Sequence, residues 1–203
     1  MIKNRSKNEV KRQQILKSAT QLFTENGYAS TSMALIAKSA DVSKQTVYSH
    51  FGNKEELFSA SIAQFCQNQV LFDYSTFDFS NPYATLLEIA QRFFTMVTSK
   101  EALAVHKICA FESKTYPQLS ELFFRAGPER LADEMTKIME TFHREEFLTI
   151  THPRHAAIQF LHMMKGEAWM RVEFNTSCQL SQQEIYDYLV DSVNFFIRGY
   201  AKR

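Results

Sequence analysis

The chain has 203 residues, 45% hydrophobic and 22% charged, the make-up of an ordinary globular protein long enough for one large core or two small ones. Five glycines and four prolines argue against a turn-rich sandwich or barrel, and no apolar run approaches a membrane span. The net charge of +1 conceals a division: residues 1–54 carry a surplus of +6 and residues 55–203 a deficit of −5, so the basic head is expected to meet a polyanion.

The opening stretch MIKNRSKNEVKRQQ is basic and polar without an apolar core. It does not read as a secretory signal, and the protein is expected in the cytoplasm. A first helix is predicted from about Glu9 to Asn26, with Ile15, Ala19, Leu22 and Phe23 on one face and Asn26-Gly27 ending it. Thr31 and Ser32 suit the N-cap of a short second helix through Ala40, with Ile36 and Ala37 facing inward. A turn at Asp41 to Ser43 leads to a third helix ending near Phe51, where Gly52-Asn53 breaks the chain. A fourth helix starts near Lys54 with Leu57, Phe58, Ile62, Phe65 and Val70 as its stripe.

The segment Asp73 to Asn81 reads as a loop, and Pro82 suits the first turn of a fifth helix. A sixth is predicted over Lys100 to Lys114. Another follows Pro117, breaks at Gly127-Pro128 and resumes from Glu129 to Glu146. Pro153 opens a helix expected to run unbroken to about Asn175. The last begins after Ser181, with Glu184 completing a capping box. The fold class is all-α, nine or ten helices: an N-terminal three-helix helix-turn-helix domain (1–54) and a C-terminal helical ligand-binding and dimerisation domain (55–203).

The informative stretch is Thr31–Leu57, TSMALIAKSADVSKQTVYSHFGNKEEL. Two short helices joined by a tight turn can lay the second in a major groove. Val47 and Phe51 turn toward the core, while Ser43, Lys44, Gln45, Thr46, Ser49 and His50 form a polar, mostly short-chained face. Gln can bond adenine bidentately, Lys can donate to guanine, and the Thr methyl can meet a thymine methyl. Tyr48, His50 and Lys54 suit phosphate, as do the free amides and hydroxyls at Thr31-Ser32. Tyr48 and His50 could alternatively fill a helix junction.

Segment 15–58 closely resembles the DNA-binding domain of the tetracycline-repressor (TetR) family: ILKSATQLFTENGYASTSMALIA, VSKQTVYSHF and NKEELF carry the likeness. The resemblance implies a homodimer on an inverted-repeat double-stranded DNA operator, usually a repressor released by a ligand. Asp41 stands where the family usually has Gly, and Asp tolerates the left-handed conformation better than most. The runs AFESKTYPQLSELFFRAGPERLADEM and FLHMMKGEAWMRVEFN resemble the AefR-type C-terminal domain of some TetR regulators.

The last helix carries an apolar seam of Ile185, Leu189, Val193, Phe196, Ile197 and Tyr200. The helix before it, with Phe160 and Ala168 on one side and Trp169 and Met170 elsewhere, is apolar nearly all round and needs several neighbours. The family resemblance implies that both helices pair with their symmetry mates, giving Phe160, Ala168, Leu189, Val193, Phe196, Ile197 and Tyr200 as the dimer interface; closure of a core within one protomer is the alternative. Phe94, His106, Phe111, Met164 and Trp169 are candidate lining for an apolar or amphipathic small-molecule effector, with simple core packing as the competing explanation.

No phosphate loop, nucleophile elbow, HExxH or paired-Cys motif appears, so neither an enzyme, a metal site nor a cofactor is expected. Cys66, Cys109 and Cys178 are scattered without metal-ligand spacing, fitting buried thiols or a redox sensor. The resulting expectation is a ligand-released repressor; control by a protein partner or by cysteine oxidation is the alternative.

Overall fold

A computed structural model describes residues 7–68 and 71–202. Chain contacts divide it into two compact units: Met1–Asn68 with Ala104–Gly127, and Gln69–Leu103 with Pro128–Arg203. The described residues contain helices and turns and no strand.

In the first unit, helix α1 (Lys7–Ser30) is interrupted at Gly27, whose φ of 79° and ψ of 170° no helix can hold. Glycine alone takes this conformation readily, which is why the chain turns here. α2 (Met33–Ser39) begins at Ser32, whose Oγ accepts the Leu35 amide at 3.1 Å. The turn passes through Asp41 at φ 51°, the left-handed conformation expected of it. α3 (Lys44–Phe51) follows and ends at Gly52, φ 67°. α4 (Lys54–Asn68) is capped by Asn53, whose Oδ1 accepts the Glu56 amide at 2.8 Å. Val70, expected on its apolar stripe, lies outside the described residues.

The core of this unit joins Ile15, Ala19 and Phe23 of α1 to Ile36, Val47, Phe51, Leu57, Phe58 and Ile62. It also takes in Val105 and Cys109 of α6 (Lys100–Phe111) and Leu119 of α7 (Pro117–Phe124). Compactness therefore draws its line elsewhere than the boundary expected at residue 54. α6 stops earlier than Lys114, because Glu112 accepts the amides of Thr115 and Tyr116 in a tight turn.

At Arg125–Glu129 the expected break is replaced by five residues of π-helix. Pro128 has no amide to donate, and a widened turn accommodates it where an α-turn would clash. The chain then continues directly into α8 (Arg130–Arg144).

The second unit packs α5 (Pro82–Val97) against α11 (Gln182–Tyr200), and α8 against α9 (Pro153–Met163). Asn81 caps α5, and Ser181 with Glu184 forms a complete capping box on α11. Leu86, Ile89, Met135, Ile138, Phe142, Phe160, Leu189, Val193 and Phe196 make one core. The helix expected unbroken from Pro153 is two, α9 and α10 (Gly166–Glu173). Gly166 adopts φ 53°, and a Cβ there would lie 2.5 Å from the Tyr188 ring. The break thus depends on a residue of α11 that local pattern does not reveal. No helix among the described residues is long and apolar enough to cross a membrane.

Candidate nucleic-acid interface

The surface is built on α3. Ser43, in extended conformation, accepts the Thr46 amide on its Oγ at 3.1 Å and so fixes where the helix starts. From that start Val47 and Phe51 fall inward and are buried, while Lys44, Gln45, Tyr48 and Ser49 are exposed at i, i+1, i+4 and i+5. Several of these side chains are occupied locally. The Ser43 and Thr46 hydroxyls are 2.8 Å apart, and Ser49 Oγ donates to the Thr46 carbonyl at 2.9 Å. Lys44 Nζ lies 5.7 Å from the Tyr48 ring centroid. The Gln45 side chain is exposed and shows no internal hydrogen bond among the described residues. Its amide is free to bond a base edge with both groups.

His50 is half-buried, its ring 6.0 Å from that of Phe51. Across the same ring, the Arg12 guanidinium sits 5.2 Å from the Phe51 centroid. Sequence reasoning did not single out Arg12; only the basic character of its segment hinted at it. Ser32 is exposed at the start of α2. Thr31 is not, and this corrects its expected place on the phosphate-binding surface. It is 1% exposed, and its Oγ1 donates toward the carbonyls of Leu22 and Gly27. A hydroxyl at the foot of the interrupted α1 is more useful tying down carbonyls freed by the break than facing solvent.

Lys54 is half-buried at the start of α4. Its Nζ donates to the Ala29 carbonyl at 3.3 Å and stands 4.2 Å from the Tyr28 ring centroid. Burial pushes its pKa down, opposed by the carboxylates of Glu55 and Glu112. Two of its three N–H directions are not taken by the Ala29 bond, and they can meet an external anion.

The expected sensing residues are divided between the two units. His106 and Phe111 belong to the first unit; Phe94, Met164 and Trp169 belong to the second. Phe111 is 86% exposed, so it lines no interior, because α6 ends there and the chain turns away. His106 is half-buried, its ring 6.2 Å from Phe123. Phe94 and Met164 are buried in the second core, and Trp169 packs against it partly exposed. Lys165 holds its Nζ 4.5 Å from the Trp169 indole, and burial pushes its pKa down.

The seam expected between protomers is largely consumed within one. Phe160, Ala168, Leu189, Val193 and Phe196 are buried, with the Phe160 and Phe196 rings edge to face at 5.2 Å. Ile197 and Tyr200 are half-buried, and Tyr200 Oη donates to Gln159 at 2.6 Å. The apolar periodicity was real, but its partners are α5 and α9 of the same chain. Other large apolar residues remain exposed on the C-terminal helices, notably Phe174 at 71% and Phe195 at 64%, with Ile158 and Met170.

Among the described residues no three His, Cys, Asp or Glu gather as a metal site. The His152 and His155 rings do approach, with centroids 5.2 Å apart. Cys66 and Cys109 are buried and Cys178 is exposed. Burial, followed by the neighbouring Cys66, pushes the Cys109 thiol up to about 12.

A capped recognition helix with a polar outer face, on a three-helix basic head, defines a helix-turn-helix transcriptional regulator. Residues 15–61 match the family described as bacterial regulatory proteins, tetR family, and residues 84–202 match the AefR-like transcriptional repressor, C-terminal domain. The chain belongs to the TetR family, whose members are regulators and not enzymes.

Among relatives, the HTH-type transcriptional regulator YhgD of Bacillus subtilis (strain 168), itself uncharacterised, is 57% identical over 44 residues, 22% of this chain and 23% of that protein. The chain thus aligns with about a quarter of that relative's length. Whole-chain likeness comes from solved structures. A Mesorhizobium loti MAFF303099 regulator assigned to the TetR family is 25% identical, with 97% and 100% of the two chains covered and a TM-score of 0.88. The flavonoid-responsive regulator FrrA is 29% identical, with 96% and 99% covered and a TM-score of 0.80.

Proposed function

We propose that the protein is a repressor that binds an inverted-repeat operator as a homodimer and leaves it when a small apolar or amphipathic molecule binds. The observation that carries the DNA reading is the outer face of α3, where Gln45 stands exposed and uncommitted between Lys44 and Tyr48. Residues 1–54 hold the DNA in the cytoplasm: Lys44, Gln45 and Thr46 read bases, while Ser32, Ser43, Tyr48, Ser49, His50 and Lys54 fix register on phosphates. Residues 55–203 sense and dimerise.

The exposed Phe174 and Phe195, with Ile158 and Met170, support a second copy docking on the C-terminal helices. Trp169 with Lys165 supports an effector carrying an acidic group and an aromatic or acyl body. FrrA's response to flavonoids supports a small-molecule trigger in a protein of this architecture. Effector binding favours a spacing of the paired headpieces that misses successive major grooves. A hundredfold loss of operator affinity requires ~2.7 kcal/mol of coupling.

Selection of bound duplexes from random DNA tests the reading. A palindromic motif bound by a dimer supports it; no sequence preference in a folded, dimeric protein overturns it.

A further inference from the structure

Arg12 is a cation of the head that the DNA reading leaves without a role. It is half-buried on α1, with its guanidinium 5.2 Å from the Phe51 centroid, and it enters no ion pair or hydrogen bond among the described residues. Lys44 and Lys54, two of the expected DNA contacts, are held in the same manner. Their Nζ atoms lie 5.7 Å from the Tyr48 centroid and 4.2 Å from the Tyr28 centroid, and neither forms an ion pair among the described residues. Arg92 of the second unit differs: it rests on Phe77 and is also paired with Glu88 at 2.5 Å.

A carboxylate holds a cation by cancelling its charge. A ring face has no net charge; its quadrupole fixes the cation and leaves the positive field to act outward. The place of Arg12 gives that field a target. Phe51 is the last residue of α3, and the His50 ring lies 6.0 Å from its own. Arg12 therefore stands at the end of the helix opposite to Lys44 and Gln45. An α-helix of this length spans ~12 Å, and the major groove is about 12 Å wide, so groups at both ends are within reach of the backbone walls. The segment carrying Arg12 is also tied down. Gln13 Nε2 donates to Glu9 Oε1 at 2.9 Å, and Gln13 Oε1 accepts from Gln64 of α4.

We propose that Arg12 is a DNA-phosphate contact contributed by α1, outside the helix-turn-helix, that grips the backbone beside the C-terminal end of α3. This rests on α3 being the helix that enters the groove. The guanidinium keeps its N–H donors for an external anion, and two of them can hold one phosphate side by side. Phe51 holds the cation in position without neutralising it. Arg12 adds grip and register and reads no base.

The test titrates the full chain with a selected duplex and a scrambled one across a salt series. Arg12→Gln should weaken both complexes alike, roughly five- to thirtyfold at low salt, and lower the salt slope by about one per head. Arg12→Met, which keeps an alkyl cover on Phe51, should do the same. Arg12→Lys keeps the charge and should recover the slope and most of the affinity. Lys17→Gln removes a charge from an exposed position of the same helix and should change the slope by less than half as much. Arg12→Met with the parent's affinity and slope overturns the proposal. Lost affinity with an unchanged slope overturns it too, by assigning Arg12 to packing alone, and so does a Lys17→Gln variant that matches Arg12→Gln. A parent chain that does not distinguish the two duplexes overturns the DNA reading itself, a failure separate from these.

Discussion

Tyr188 of α11 locks the break between α9 and α10 around Gly166. Its Oη donates to the Met163 carbonyl at 2.8 Å, one of the groups left over where α9 ends, and its ring occupies the place of a Cβ at residue 166. Gly166→Ala must meet that ring while holding φ 53°. It should cost ~1–3 kcal/mol in urea unfolding. Tyr188→Phe keeps the ring and loses only the hydrogen bond, costing ~0.5–1.5 kcal/mol. An alanine at 166 that unfolds at the parent's midpoint would show that the break is not held in this way.

Gln45→Ala should relax base preference at one or two operator positions by ~1–3 kcal/mol each, with affinity for unrelated DNA unchanged. Val47→Ala, on the buried side of α3, should instead lower thermal stability. An unaltered sequence motif for Gln45→Ala in a selection experiment would remove Gln45 from the base-reading set.

The dimer reading separates neighbours on one helix. Phe195→Glu combined with Phe174→Glu should give soluble, folded monomers by sedimentation, because both side chains are exposed within the protomer. Phe196→Ala should cost ~3–5 kcal/mol of stability, since its side chain belongs to the internal core. A Phe174/Phe195 double variant that still sediments as a dimer would move the interface elsewhere.

Trp169, the chain's single tryptophan, reports on its own surroundings. An acidic aromatic or acyl molecule that binds there should change its fluorescence and lower operator affinity, and operator should lower ligand affinity by the same factor. Lys165→Met should weaken binding of the acid more than that of its uncharged amide. Equal weakening of the two would deny Lys165 the role of anion partner.

Cys109 predicts a pH dependence. Its folded thiol titrates at about 12 against an ordinary value of 9.0, so the unfolded chain releases a proton first as pH rises. The unfolded state then binds fewer protons, and stability falls with pH between about 9 and 12; below 9 the group contributes no slope. Cys109→Ala should flatten that part of the stability curve. In the native protein, thiol reagents should modify exposed Cys178 and spare Cys109 until unfolding.

The head was legible because its signals are local. Ser32 and Ser43 cap α2 and α3 through amides three residues on, Gly27 interrupts α1 and Gly52 ends α3, and Asp41 adopts its left-handed turn without help from distant residues. The capping box at Ser181 and Glu184 is equally short-range. What escaped depends on distant partners. Thr31 reads as a surface cap until the carbonyls of Leu22 and Gly27 claim its hydroxyl. Gly166 reads as an ordinary helix residue until Tyr188 arrives from α11. The stripe from Leu189 to Phe196 announced burial without saying whether the covering helix came from the same chain, and α5 and α9 cover it.

Val105, Cys109 and Leu119 share a core with Ile15 and Phe58, so the DNA-reading head is not a portable cassette. A graft cut after residue 54 would leave behind α4 and the α6–α7 segment and expose the faces they cover. Chimeric regulators made from this protein should keep Met1–Asn68 and Ala104–Gly127 from one parent. Retargeting to a new operator is better done by exchanging the outer residues of α3 on an intact scaffold.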